Sequence, residues 1–149
     1  MIIKIEQDLS CADIEVIIKY GKEKENVQRI VKLLESVDKQ IKCDKDGAER
    51  MVNASDIYYI ESVDKQTFVY LEKGVYRTDF RLYQLMEQLK KYGFIQISKS
   101  CILNIHYMDS IKPISNSRME ATLKNSERVY INRKYLGEVK KALRGEISV

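Results

Sequence analysis

Between residues 48 and 131 the sequence breaks into short runs rich in Ile, Val, Tyr and Thr, each closed by a few turn-forming residues. There is no regular βα alternation and no internal repeat, so a parallel Rossmann-type sheet is not expected. Ile57–Glu61, Thr67–Leu71 and Val75–Arg77 read as a meander divided by SVDKQ and EKG. Residues 80–91 switch to helical period, with Leu82, Leu85, Met86 and Leu89 as the apolar stripe and Thr78 or Asp79 as N-cap. Gly93 stands where a C-cap glycine is wanted, with Phe94 behind it as a hydrophobic clamp. Strands resume at Ile95–Ile97, Ser110–Lys112, Met119–Leu123 and Val129–Ile131, the last two flanking KNSE. Asn132 can then cap a final helix whose apolar positions are Tyr135, Leu136, Val139 and Leu143. The fold class expected is α+β, mostly β.

The first 44 residues read differently. Ile2–Glu6 and Ile14–Tyr20 are rich in β-branched residues and predict two strands around the turn DLSCAD. Over 24–38, Val27, Ile30, Val31, Leu34 and Val37 share one helical face, opposite Glu25, Gln28, Lys32, Glu35 and Asp38. A short strand at Ile41–Cys43 follows. The polar segment CDKDGAER suggests a boundary near residue 45, giving a β-β-α-β unit over 1–44 and a second domain over 45–149. A unit of that size seldom folds alone, so it should dock on the remainder or on a partner, in an interaction or dimerisation role.

With 149 residues, 44% hydrophobic and 32% charged, the chain can bury a core without a disulfide or metal staple. MIIKIEQDLS has no basic n-region, and no run approaches the ~18 apolar residues of a membrane span, so a soluble cytoplasmic chain is expected. Cys11, Cys43 and Cys101 form no CxxC pair and read as reduced core residues; no metal site is expected. GxGxxG, Walker A, HExxH and GxSxG are absent, and no nucleophile elbow accompanies the one histidine, His106. Neither catalysis nor a cofactor nor a small-molecule substrate is expected.

Charge is uneven along the chain. Residues 1–44 carry 8 Lys+Arg against 9 Asp+Glu, and residues 45–89 carry 6 against 8. Residues 90–149 carry 12 against 5, a net of +7. A basic excess confined to the last sixty residues fits a polyanion-binding face, and equally a solvated basic surface.

The segments DIYYIE (56–61), GFIQISKSCILNI (93–105) and YINRKY (130–135) resemble the LytTR family of DNA-binding domains. The helix around Leu82–Leu89 and the KNSE turn also sit where that family has them. The resemblance covers roughly 45–149; residues 1–44 are too few for the phosphoacceptor receiver that many members carry there. It implies antiparallel sheets with short helices, and a sequence-specific regulator that places loop side chains in successive major grooves. It further implies two protomers on paired direct repeats of double-stranded DNA, a homodimer, and a membrane-protein regulator as a partner, since small members often stand beside genes for membrane proteins. Three loops would carry the contacts: SVDKQ after the first segment, SKS, and the start of the last helix. SKS and NRKY stand where the family usually has a His or Arg followed by a polar or basic residue, and SRxY.

Those positions make physical sense. Lys99, between Ser98 and Ser100, can reach a phosphate or a guanine edge, with the two hydroxyls as further phosphate donors; a solvated loop lysine is the alternative. Arg133, the first helical position after Asn132, is close to exposed helix amides and can pair bidentately with guanine, unless it is simply exposed. Lys134 adds charge beside it. Asp64 would repel phosphate, so Ser62, Lys65 and Gln66 are the candidates in the first loop. Asn104, polar among apolar neighbours, reads as a buried hydrogen-bonded turn former. A ligand- or protein-binding regulatory module with an incidental basic face is the competing function.

Overall fold

Hairpins with tight turns build most of the molecule. In the computed structural model, which describes residues 1–22, 24–115 and 117–143, α1 (Lys24–Ser36) leads into ten strands. β1 (Gln40–Lys45) and β2 (Ala48–Asn53) pair along their whole length through Asp46 and Gly47, both at positive φ. An Asp-Gly pair is the preferred two-residue hairpin turn, because both positions must be left-handed for the strands to keep their twist. β3 (Ile57–Val63), β4 (Gln66–Leu71) and β5 (Gly74–Thr78) follow as the expected meander. Next come α2 (Leu82–Leu89), β6 (Phe94–Ser98) and β7 (Cys101–Asn104). β8 (Met108–Pro113), β9 (Met119–Leu123), β10 (Arg128–Ile131) and α3 (Leu136–Leu143) complete the chain.

The strands form a seven-stranded sheet in the order β2-β1-β5-β4-β3-β7-β6 and a three-stranded sheet, β10-β9-β8. All observed pairings are antiparallel. Two cores lie on opposite faces of β3, β6 and β7. On one face Ile57, Ile60, Phe94 and Ile102 pack with Leu85 and Leu89 of α2. On the other, Ile95, Ile97 and Leu103 pack with Ala121, Ile131 and Val139 of the small sheet and α3. Burial on both faces explains why β7 begins as an apolar run, Cys101–Leu103, before the buried Asn104, with no alternation to reveal it as a strand.

Several expectations change. Ile2–Glu6 and Ile14–Tyr20 are not strands: residues 1–22 contain neither helix nor strand, because no ladder partner stands beside them. The boundary drawn near residue 45 falls inside the β1–β2 hairpin, and β1 also meets β5 at Asp44 and Arg77. α1 turns its polar side inward, burying Lys32 and Ser36, while Leu34 and Val37 stay exposed. Burial is also the leading cause lowering the Lys32 ammonium below its ordinary pKa. Cys11 is exposed, whereas Cys43 and Cys101 are buried, their thiols pushed up to about 11 and about 12.

The helix ends differ in detail. Thr78 donates its hydroxyl to Lys42 O (2.9 Å), and the residue preceding α2 is Arg81, whose N–H donates to Gln84 Oε1 (2.8 Å). Asn132 precedes a 3-10 turn, Arg133–Tyr135, without a side-chain cap bond; its backbone oxygen accepts from the Tyr135 N–H instead. Gly93 does hold the left-handed conformation, φ 95°, after Lys90–Tyr92.

Candidate nucleic-acid interface

The first loop is the tip of the β3–β4 hairpin. Val63 pairs with Gln66, leaving Asp64 and Lys65 as a two-residue turn at φ 50° and 64°. This primed geometry lets non-glycine residues turn the chain at a cost of roughly 1 kcal/mol each, and it holds both side chains out in solvent. The second loop joins β6 to β7. Ser98 pairs with Cys101 beyond a register shift, so Lys99 and Ser100 form the tip, both exposed. The Ser100 N–H donates to Ser98 Oγ (3.3 Å) and Gln96 Nε2 donates to Ser98 O (3.0 Å), which shapes the turn. The third segment is Asn132–Lys134, exposed at the end of β10.

Two backbone bonds bring these segments together. Ser62 N–H donates to Ser100 O (2.8 Å), joining the first loop to the second across β3 and β7. Asn132 N–H donates to Ile97 O (2.9 Å), fastening the third segment to the end of β6 beside the second loop. Lys65, Lys99, Arg133 and Lys134 are all exposed, and none is in an ion pair among the described residues. Lys134 Nζ lies 5.6 Å from the centroid of the Tyr135 ring.

Arg81 belongs to the same neighbourhood and escaped the sequence reading. Its Nη1 donates to Lys65 O at 3.4 Å, and its side chain is exposed. Its position follows from the β4–β5 pairing, which sets Thr78 opposite Thr67 and so returns the chain to the first loop just beyond the strand. Asn104 behaves as expected, fully buried, donating to Ile57 O (2.8 Å) and accepting from His106 N–H (3.1 Å).

Two groups with possible chemistry stand apart from these loops. Cys101, just behind the second loop, is a buried, protonated thiol. His106 lies elsewhere, with Nε2 3.0 Å from Tyr92 O. Among the described residues no group of three His, Cys, Asp or Glu side chains could hold a metal, and no helix is long and apolar enough to cross a membrane.

Comparison with known proteins gives a consistent result. Residues 48–144 match the model of the LytTr DNA-binding domain. An HTH-type transcriptional regulator of Staphylococcus aureus is 29% identical over 121 residues, covering 80% of this chain and 82% of that protein. The sensory transduction protein LytT of Bacillus cereus is 33% identical over 94 residues, 63% of this chain but 38% of the longer LytT. A solved LytTr DNA-binding domain from Bacillus cereus superposes with a TM-score of 0.65 at 26% identity, covering 70% of this chain and 95% of that one.

Proposed function

The chain belongs to the LytTR family of DNA-binding domains, and from that premise we propose a transcriptional regulator that reads a specific duplex sequence with loop side chains in the major groove. What supports this reading is the pair of backbone bonds, Ser62 to Ser100 and Ile97 to Asn132, which gather three exposed loops into one cationic face. Among the described residues no two α-helices follow one another in the chain, so no helix-turn-helix competes with the loops for the groove.

Each side chain then has a role. Arg133 has the planar fork for two hydrogen bonds to guanine, and the uncapped Asn132 amide beside it suits adenine. Lys99, Lys65 and Lys134 neutralise phosphates, with Ser98, Ser100, Ser62 and Gln66 as neutral donors to the backbone. Two protomers occupy paired direct repeats, and residues 1–44 hold them together. A membrane protein encoded beside the chain's own gene is a further partner in this reading. A mobility-shift titration with a fragment upstream of the chain's own gene tests the core of this reading. Saturable binding that survives excess unrelated duplex is the expected result; binding that unrelated duplex abolishes denies sequence specificity.

A further inference from the structure

Two apolar surfaces near the N-terminus have no cover among the described residues. One is the outer side of α1. Lys32 and Ser36, 6% and 1% exposed, mark the side that faces the body. Val27, Ile30, Val31, Leu34 and Val37 recur at the helical period and centre on the opposite side. Leu34 and Val37 are 39% and 49% exposed. The other surface is the arm, residues 1–22, where Ile2, Ile3, Ile5, Ile14 and Ile17 are between 72% and 94% exposed. In sequence, one residue separates the arm from Lys24, where α1 begins. Both surfaces are thus present in one chain and close in sequence, yet the arm's side chains stay open.

We propose that a second copy of this chain covers both surfaces: in a twofold dimer the arm of each protomer lies along the α1 stripe of the other. A twofold axis uses each contact twice, so a surface and its complement on one chain satisfy both protomers. Val27, Ile30 and Val31 are half-buried, so the arm isoleucines carry most of the area; at roughly 60–100 Å² apiece the ten side chains supply about 600–1,000 Å² per protomer. A stable interface takes about 800 Å². The arrangement leaves the candidate DNA face open. α1 packs on the Lys90–Tyr92 turn, which enters β6 at Phe94, whereas Lys99 follows the other end of that strand, after Ser98. The proposal rests on the reading of residues 1–44 as the association unit and needs no DNA contact.

Sedimentation equilibrium of the full chain without DNA, at micromolar concentration, is the test. The expected mass is twice 17.5 kDa. A stripe variant, Leu34→Glu with Val37→Glu, and an arm variant, Ile14→Glu with Ile17→Glu, should each fall to the single-chain mass with the parent circular dichroism. Mixing the two variants should restore a dimer weaker than the parent's, since the arm of one and the stripe of the other remain intact. Leu34→Ser with Val37→Ser gives a milder stripe variant should the charged one lose its fold. A monomeric parent, a dimer that survives both variants, or a mixture that stays monomeric overturns the proposal. A dimeric parent that ignores duplex DNA would leave it standing and remove only the DNA reading.

Discussion

At the residue scale, the contrast between Arg133 and Lys99 separates base reading from anchoring. A guanidinium makes two directed bonds to a guanine edge, whereas an ammonium is a flexible point charge. Arg133→Ala should cost about 1–3 kcal/mol on the cognate site and relax preference at one or two base pairs. Arg133→Lys should recover little of this in the same mobility-shift titration. Lys99→Ala should weaken binding with a larger share common to all sequences. Full cognate binding by Arg133→Lys would make Arg133 a phosphate anchor. Gly93 offers a stability test at the same scale. A Cβ there would come within 2.7 Å of His106 Nε2, and φ is already at 95°. Gly93→Ala should therefore lower stability by more than about 1 kcal/mol in a denaturant titration, and a neutral result would show that the His106 ring moves aside freely.

At the element scale, α1 meets the body around His106. The ring lines a cavity of about 10 Å³ with Gln28, Arg29, Lys32 and Gly93, room for about one water. Burial, chiefly, with Arg29, Lys124 and Lys32 adding repulsion, holds His106 below its ordinary 6.5; its bond to Tyr92 O opposes this. The folded chain thus resists a proton that the unfolded chain accepts. Stability from this source is complete above about pH 6.5, falls as pH drops through that value, and levels off below the depressed folded pKa. Thermal melts between about pH 7.5 and 5.5 should show the loss, and His106→Gln, which can still donate to Tyr92 O, should flatten it. An unchanged slope in that variant would assign the pH dependence to carboxylates. The elements differ in how far their sequence discloses them. α2 and the β9–β10 hairpin are legible because period and turn chemistry act over a few residues. β7 is hidden, since a strand buried on both faces has no alternation. The β1–β2 hairpin was within reach through Asp46-Gly47, but the polar residues around that pair resemble a boundary.

At the scale of the whole molecule, the +7 excess of the last sixty residues is spread over several faces. Lys112 and Arg128 flank the buried Glu120 at 3.6 and 3.7 Å, and Lys141 lies 3.8 Å from Glu138. Lys65, Arg81, Lys99, Arg133 and Lys134 are the cations gathered at the candidate interface. On a half-site filled by one protomer, at about −0.9 per phosphate neutralised, these give a slope of log K against log salt between roughly −3 and −5. Fluorescence anisotropy over a salt series measures it. A slope near zero would remove the cationic face from DNA binding, and one well beyond −5 would spread contact over the small sheet and α3. Local sequence was enough for the mostly-β class, the β3–β4, β4–β5 and β9–β10 turns, the Gly93 cap and the three family segments. Each depends on backbone conformation and side-chain period within a few residues. Which side of α1 turned inward, how Arg81 reached the first loop and how three loops became one face were decided only by tertiary structure. They depend on pairings between distant residues, Ser62 with Ser100 and Ile97 with Asn132, and an apolar stripe reads the same whether its own core or another chain covers it.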